Sequence, residues 1–408
     1  MLYHFFLLPS LAFALPAIVS RQSGNSSGSP QFNYRDPTVP SELGNVTFPK
    51  GPFVPPVRGN NPRPSTNTSA NALSGPFTPS GGNVIKEPKY ITLSNFDEQS
   101  LQVGLQQEFL ELDLFNKLLT LFSDQDFPDA GLTPEDRSLI QWMANQEIGH
   151  AVAVTNMLNP DRAGKVCEFQ YPNFTSVQDA LMFSQFVTRW GESGVLGFLP
   201  HMDSRPNAQI LLQSITTESR QEMAIRQLLG LFPMPVWFES GVPQAFAWTL
   251  LQRYIKSCPE NNPKIQFQIF PDLTIENQAN ALGGRAAVST NRTLTAAGRT
   301  IQVSWEEAGR ATGPNNSYTT NTTAGQPRYA AFVQQLNVTY VGLDNVDTNA
   351  RAASIRQPGS QVYGPYSPAI VNETSFLVLT DANPFLTPYN LTLINKHVVA
   401  GPALYIAG

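Results

Sequence analysis

Carboxylate and imidazole side chains interrupt three apolar stripes in the sequence, at positions where a buried helix face would carry leucine. The first stripe steps by four and three residues through Leu101, Leu105, Glu108, Leu112, Phe115, Leu119 and Phe122. The second stripe contains Ile140, Met143, Glu147, His150, Val154 and Met157. The third stripe contains Leu211, Ile215, Glu218, Glu222, Ile225 and Leu229. This spacing predicts helix faces of the kind that a bundle buries. Because a buried carboxylate is costly unless it is paired or binds a cation, their convergence predicts a metal site.

The second stripe carries a Glu-x-x-His motif, formed by Glu147 and His150. Residues three apart share one helix face, so both side chains can reach the same ion. Two such motifs, together with one Glu from each of two further helices, make the ligand set of di-metal centres in helical bundles. A histidine in a core is more often satisfied by hydrogen bonds than by a metal, but the pairing with Glu147 favours the ligand role.

Start and stop signals place these stripes on separate helices. Ser94 with Asp97, and Thr133 followed by Pro134, are typical helix starts. The predicted helices span approximately residues 94–122, 133–158, 177–198, 207–230 and 243–256. Two short turns and one long crossover between the first four predict the arrangement of a ferritin-like four-helix bundle, with a fifth helix after it.

The hydrophobic period changes to two after about residue 263, where Ile265, Phe267 and Ile269 alternate with glutamines. Similar runs follow, separated by clusters of Gly, Pro and Asn, and predict a β-sandwich-like C-terminal domain. The expected fold class is therefore α+β. The expected domains are a signal peptide at 1–20, a disordered segment rich in Pro, Gly, Ser and Asn at 21–90, the helical bundle at 91–258 and the β-rich domain at 259–408.

The first twenty residues, ten N-x-S/T sequons and a single pair of cysteines predict a secreted glycoprotein. Cys167 and Cys258 are expected to form a disulfide that ties together the ends of the helical region. A net charge of −5 without a basic block argues against a nucleic-acid partner. No transmembrane anchor is expected, and cell-wall or surface components are candidate partners.

Four stretches, "LQQEFLELDLF", "NQEIGHAVAV", "WGESGVLGF" and "TTESRQEMAIR", resemble the helical motifs of the ferritin-like domain in fungal secreted proteins linked to stress response and sexual development. Plant desiccation-related proteins share that domain. The resemblance implies metal ligation by Glu108, Glu147 with His150, Glu192 and Glu218. Where the family motif has a second histidine, this chain has Gln221, and the adjacent Glu222 is a candidate substitute.

Gln221 shifts the expected chemistry. Glutamine is a weak neutral ligand for iron or copper, and a carboxylate-rich site also suits Mn²⁺, Ca²⁺ or Mg²⁺. One or two ions of iron or manganese are the expected cofactor. Glu222 is equally suited to an ion pair with Arg226, and Glu111, which lies off the stripe, is expected to be solvated.

Two functions remain open from the sequence. The first is metal-dependent redox chemistry, either oxidation of a small substrate or removal of peroxide, in which His150 tunes the metal. The alternative is a non-catalytic cell-surface or stress-protection protein with a degenerate metal site. The sequence has no H-E-x-x-H, P-loop or G-x-G-x-x-G motif, and it leaves the oligomeric state open.

Overall fold

Long helices form the first part of the structure. The computed structural model describes residues 88–289, 293–364 and 367–408; the predicted signal peptide and nearly all of the predicted disordered segment lie outside these residues. The helices of the described chain are α1 (Asn95–Leu121), α2 (Asp126–Asp129), α3 (Pro134–Leu158), α4 (Val177–Phe198), α5 (Arg205–Leu228) and α6 (Gln244–Leu251). Within the described residues, none of them combines the length and the apolar character needed to cross a membrane.

The predicted caps set the starts of α1 and α3. Ser94 Oγ accepts a hydrogen bond from the Asp97 amide, and Thr133 with Asp136 forms a complete capping box. Asp97 is fully buried, and its carboxylate also accepts hydrogen bonds from the amides of Asp203 and Ser204 at 2.9 and 3.0 Å. The start of α1 is thereby fixed to the connection between α4 and α5.

Each of the four long helices packs against two others: α1 contacts α3 and α4, and α5 contacts the same pair. The predicted stripes consequently face a common centre. The short helix α6 lies against α4, and this close approach depends on glycine. A Cβ atom on Gly197 would overlap the carbonyl of Val242, and one on Gly194 would lie 2.9 Å from the Cβ of Ala247.

The C-terminal part is mostly β. Its strands follow two short ones, β1 (Glu168–Phe169) and β2 (Ile255–Ser257), which pair with each other. The remaining strands are β3 (Leu273–Ile275), β4 (Thr300–Trp305), β5 (Ala311–Thr312), β6 (Tyr318–Thr319), β7 (Tyr329–Gln334), β8 (Asn337–Asp347), β9 (Ala352–Arg356), β10 (Thr374–Thr380) and β11 (Val398–Ile406). Seven of them form one antiparallel sheet in the order β11-β10-β7-β8-β9-β4-β3.

This sheet curls until its two edge strands, β11 and β3, approach each other. The result is one nearly closed sheet in place of the two stacked sheets of the predicted sandwich. Irregular registers in the β10–β11 and β8–β9 pairs mark the places where the strands bend. Both arrangements bury alternate side chains, so a period of two cannot distinguish them.

Strand β10 joins the two regions because both of its faces are buried. Leu377 and Leu379 point into the curled sheet, whereas Phe376 and Val378 belong to the core that also contains Trp190 and Phe246 of the helices. Helices and sheet therefore share a hydrophobic core, and the predicted domain boundary after residue 258 stays a prediction.

The predicted disulfide between Cys167 and Cys258 is present. It joins the loop that follows α3 to the residue after β2, across 91 residues of sequence. Both cysteines lie against the shared core. The bridge therefore closes the helical region at the point where the chain enters the β region.

We expect the double substitution Cys167→Ser with Cys258→Ser to lower the free energy of unfolding by about 4 kcal/mol. The reason is that a cross-link across a segment of this length reduces the conformational entropy of the unfolded chain. Equilibrium unfolding in guanidinium chloride, monitored by circular dichroism, measures the difference. The wild-type protein in the same buffer without reductant is the reference. A loss below about 1 kcal/mol would show that the unfolded chain gains little freedom without the bridge.

Candidate metal centre

Three helices bring four of the predicted ligands together. Oxygen atoms of Glu108 on α1, Glu147 on α3 and Glu218 on α5, and a ring nitrogen of His150 on α3, all lie within 4.8 Å of one another. His150 Nδ1 is 3.0 Å from Glu147 Oε2, 3.3 Å from Glu108 Oε2 and 3.6 Å from Glu218 Oε1. The three carboxylates are buried and the imidazole nearly so.

Protons balance the charge of this cluster when no cation is bound. Burial raises the pKa of Glu108 to about 7, although its contacts with His150 oppose the shift. Burial also raises the pKa of Glu218 well above its usual range, and the neighbouring carboxylates add to it. Burial alone would lower the pKa of His150, but its contacts with Glu108 and Glu147 raise it to about 11. A cation that enters such a site displaces protons.

The donor atoms fit a divalent cation. Gln221 Nε2 donates to Glu147 Oε1 at 2.5 Å and to Gln146 Oε1 at 3.1 Å, and its own carbonyl oxygen, although buried, has no hydrogen-bond partner. Glu108 Oε2 is likewise buried without a hydrogen bond of good geometry. Buried oxygen atoms left unpaired beside an imidazole are the donors that iron, manganese or a harder cation takes. Gln221, which replaces the expected histidine, also orients Glu147.

Glu111, which the sequence predicted to be solvated, is buried in the structure. Its side chain is only 1% exposed, and its Oε1 accepts a hydrogen bond from Gln107 Nε2 at 2.7 Å. Its Oε2 has no hydrogen-bond partner. Burial, followed by the charges of Glu147 and Glu108, raises the pKa of Glu111 well above its usual range. Glu111 therefore lies beside the cluster that Glu108, Glu147, His150 and Glu218 form.

The space for Glu111 comes from α4. A Cβ atom on Gly191 would lie 2.8 Å from Glu111 Oε1, so a larger residue there would force the side chains of Glu111 and Gln107 to shift. The preceding residue, Trp190, donates from Nε1 to Gln107 Oε1 at 2.7 Å and so turns the amide of Gln107 towards Glu111. The signal in the sequence was the spacing of Glu108 and Glu111, which repeats the three-residue interval of Glu147 and His150.

Two further predicted ligands lie elsewhere. Oxygen atoms of Glu192, Glu222 and Glu239 lie within 4.8 Å of one another and form a second cluster beside the fully buried Arg189. Glu192 accepts a hydrogen bond from Ser219 Oγ at 2.6 Å, away from the first cluster. In this geometry α4 supplies no carboxylate to the first cluster, and ligation by Glu192 or Glu222 stays a prediction.

Glu222 pairs with Arg189 instead of Arg226. Its Oε2 lies 3.6 Å from Arg189 Nη1, and its Oε1 accepts a hydrogen bond from Gln185 Nε2 at 2.8 Å. Arg226 donates to two backbone carbonyls, those of Phe232 and Gly408, at 2.8 and 2.6 Å. The four-residue spacing of Glu222 and Arg226 thus places them on one face without joining them.

Arg189 neutralises the second cluster from its centre. Its Nη1 contacts Glu239, and its Nη2 lies 2.9 Å from Oε2 of Glu373, the residue before β10. Burial, with the charges of Glu239 and Glu222, raises the pKa of Glu192 well above its usual range; burial, partly offset by Arg189, raises the pKa of Glu373 to about 8. The arginine occupies the role that a cation would have there, and it links α4 and α5 to the sheet.

Comparison with known proteins agrees with this architecture. Residues 96–231 match a family model described as a ferritin-like domain. Protein rds1 of Schizosaccharomyces pombe (strain 972 / ATCC 24843) is 49% identical over 351 residues, which cover 81% of this chain and 86% of that protein. The matched domain contains every residue of the first cluster.

We expect Glu108→Gln to stabilise the metal-free protein by about 1 to 3 kcal/mol at pH 8 and by less than about 1 kcal/mol at pH 5. The unfolded carboxyl titrates near 4.5 and the folded one near 7. The wild type therefore loses stability as the pH rises through this range, whereas the amide does not titrate. Denaturant unfolding in chelating buffer at both pH values gives the difference, with the exposed Glu260→Gln as control. Equal stability of Glu108→Gln and the wild type at pH 8 would contradict the prediction.

We expect Arg189→Met to lower the free energy of unfolding by about 3 to 5 kcal/mol, because it leaves buried carboxylates without their cation. Arg162→Met is the matched control: Arg162 pairs with Glu98 but is largely exposed, so its loss should cost below about 1 kcal/mol. Thermal and denaturant unfolding of both variants test the contrast, and similar values for the two would refute the central role of Arg189.

Proposed function

We propose a metal-dependent function for this chain, which belongs to the same protein family as Protein rds1 and contains a ferritin-like domain. The observation that carries the proposal is that three helices bring donor atoms of Glu108, Glu147, His150 and Glu218 within 4.8 Å of one another. Iron or manganese, as one or two ions, is the proposed cofactor. Glu111 and Gln221 flank the ligands.

Each side chain has a separate task in this proposal. The positive charge of the metal ion is balanced by the carboxylates of Glu108, Glu147 and Glu218. Gln221 orients Glu147 through its 2.5 Å hydrogen bond. His150 supplies the nitrogen donor that sets the geometry and potential of the metal. Burial raises the pKa of Glu111 well above its usual range, so this carboxyl is suited to hold a proton next to the centre.

The proposed chemistry is oxidation of a small substrate or removal of peroxide. When bound, a redox-active metal supplies the electron transfer for such reactions. A cavity of about 20 Å³ lies between Glu108 and Glu218 on one side and Gly191, Gly194 and Phe198 on the other. It has room for about one water molecule. Because this volume is so small, it admits only a molecule of about the size of water, dioxygen or peroxide.

A second candidate is a non-catalytic protein with a degenerate metal site. The observation that favours it is the asymmetry of the cluster, in which α4 contributes Gly191 opposite Glu111 and the second histidine is replaced by Gln221. In that case the carboxylates, His150 and Gln221 form a hydrogen-bonded polar core. The two candidates differ in one measurable property, the uptake of metal.

We further propose that the protein is secreted, with a link to the cell wall and to stress response or development. The disulfide is compatible with an oxidising compartment. The apolar leader and the sequons of the sequence give the same indication. Binding to wall or surface components is part of this proposal.

The test is elemental analysis of protein purified from a secreting fungal host, with His150→Gln and Glu147→Gln beside the wild type. We expect near-stoichiometric iron or manganese in the wild type and at least a tenfold loss in each variant, because removal of a ligand weakens a metal site strongly. Glu98→Gln, which changes a surface ion pair, is the control that keeps its metal. Consumption of hydrogen peroxide by the loaded proteins then tests the redox step.

Two outcomes would separate the candidates. A wild type that takes up neither metal after loading, with variants that fold normally, would refute the metal-dependent function and favour the polar core. A wild type that binds metal but loses it equally in Glu98→Gln would place the metal outside the cluster.

A further inference from the structure

The outer surface of α3 is apolar although it faces solvent. Leu139, Trp142, Ile148 and Val152 are 39%, 66%, 50% and 55% exposed. Trp142 is the most exposed of the five tryptophans of the chain. Single exposed apolar residues are common on protein surfaces, whereas several large ones on one helix face mark a surface that a partner covers.

The exposed residues of this face repeat at intervals of three and four. Trp142, Asn145, Gly149, Val152 and Asn156 are all exposed, and their spacing is that of the a and d positions of a coiled coil. We call these five residues the outer seam. The stripe that carries the candidate metal ligands lies on the inward side of the same helix. One side of α3 therefore packs in the bundle, and the other side has the pattern of a second helix contact.

A groove between α1 and α3 runs beside the outer seam. Its volume is about 310 Å³, and its walls include Phe109 and Leu112 of α1 and Ile148 and Val152 of α3. None of its lining residues is charged. A helix that lies along the outer seam can therefore place apolar side chains in this groove.

The charge of this surface suits contact with a copy of itself. After Arg137, every exposed residue of α3 is uncharged, and so is every exposed residue of the adjacent α5 between Arg205 and Arg220. In a twofold contact the same patch meets itself, so an exposed charge there faces like charge, which is destabilising. A surface without charge avoids this cost, and it offers nothing to a partner of high charge.

Gly149, in the middle of the outer seam, has no role within one chain that requires glycine. A Cβ atom on Gly149 would meet no atom of another element within 4 Å. Glycine is less favourable than alanine inside a helix, but it permits the close approach of another backbone. Its position therefore fits the crossing point of two helices.

The outer seam is complementary to itself about Gly149. Trp142 and Asn156 lie seven residues to either side of it, and Asn145 and Val152 lie four and three residues to either side. Two antiparallel copies that cross at Gly149 bring Trp142 against the partner's Asn156, and Asn145 against the partner's Val152. Each large or apolar residue then meets a smaller polar one, and the indole N–H can donate to an amide oxygen.

The face is large enough for a stable dimer. From Leu139 to Leu158, α3 is about 30 Å long at about 1.5 Å per residue, and a packed neighbouring helix lies about 10 Å away. A strip of about 30 by 20 Å has an area of about 600 Å². Two such strips bury about 1,200 Å², which is the lower end of the range for specific interfaces.

We propose that the outer seam, with the groove beside it, is the interface of a homodimer in which two copies of α3 pack antiparallel about Gly149. The proposal is independent of the metal-dependent function, because none of the five seam residues is a candidate ligand. Glycosylation is compatible with it, since none of the ten sequons lies within α1, α3 or α5.

Sedimentation equilibrium of the full-length protein from a secreting host, at about 0.1 to 100 μM, tests the dimer. We expect twice the mass of one chain, with a Kd below about 10 μM. Val152→Glu brings like charges together across the interface and should raise the Kd about a hundredfold. Val288→Glu is the matched control, because Val288 is 85% exposed and lies outside the face; it should leave the Kd unchanged.

Gly149→Gln separates the interface from the fold. Glutamine favours a helix more than glycine does, and its Cβ has room in the single chain. The midpoint of thermal unfolding at a concentration where the protein is monomeric should therefore not fall. The longer side chain at the crossing point should still raise the Kd about a hundredfold, because the two backbones can no longer approach.

Introduced cysteines locate the twofold axis. Cys167 and Cys258 are bonded to each other, so an introduced cysteine is the free thiol of the chain. Gly149→Cys should form a disulfide-linked dimer on mild oxidation. Ser138→Cys should not, because its two copies lie about 30 Å apart in the antiparallel arrangement.

Three results would overturn the proposal. The first is the mass of a single chain up to about 100 μM, whether the face is then open or covered by residues of the same chain before residue 88. The second is a dimer whose Kd neither Val152→Glu nor Gly149→Gln changes, because association would then use another surface. The third is cross-linking through Ser138→Cys as fast as through Gly149→Cys, which contradicts antiparallel packing about Gly149.

Discussion

Buried carboxylates are the constraint on which the helical region depends, because each must be protonated, paired or bound to a cation. Six of the buried carboxylates fall into two groups. Glu108, Glu147 and Glu218 surround His150, and Glu192, Glu222 and Glu373 lie around Arg189. In the second group an arginine supplies the positive charge. In the first, a single imidazolium faces three carboxylates and leaves room for a metal.

Helix α4 contributes residues to the surroundings of both groups of carboxylates. Opposite the first cluster α4 carries Gly191, which admits Glu111, and Trp190 holds Gln107 in place as its hydrogen-bond donor. Two residues before Gly191 on the same helix, Arg189 reaches Glu373, the residue before β10. The same helix therefore lies at the edge of the first cluster and contacts the sheet. The helices and the curled sheet pack against each other through a shared hydrophobic core.

The chemistry of the first cluster follows from its asymmetry. Its candidate ligands come from three helices, Gln221 stands where the family resemblance implies a second histidine, and its free space is that of one small molecule. The amide of Gln221 lacks the strong nitrogen donor of a histidine, and it orients Glu147 through a hydrogen bond. Such a donor set is rich in oxygen and favours manganese or a harder cation more than a site with two histidines does.

The sequence by itself determined the long helices, the caps of α1 and α3, the disulfide partners and the apolar stripes that carry Glu108, Glu147, His150 and Glu218. These are consequences of local periodicity, of cap chemistry and of a single cysteine pair, all of which are properties of nearby residues or of composition. Only the tertiary structure decided that Glu111 is buried, because its environment depends on Gly191 of another helix. It also decided that Glu192 and Glu222 join Arg189, since helix rotation and the position of Glu373 are set by packing between distant segments. For the same reason the curled sheet replaced the predicted sandwich: alternation fixes which side chains are buried, whereas closure depends on how strands far apart in the chain meet.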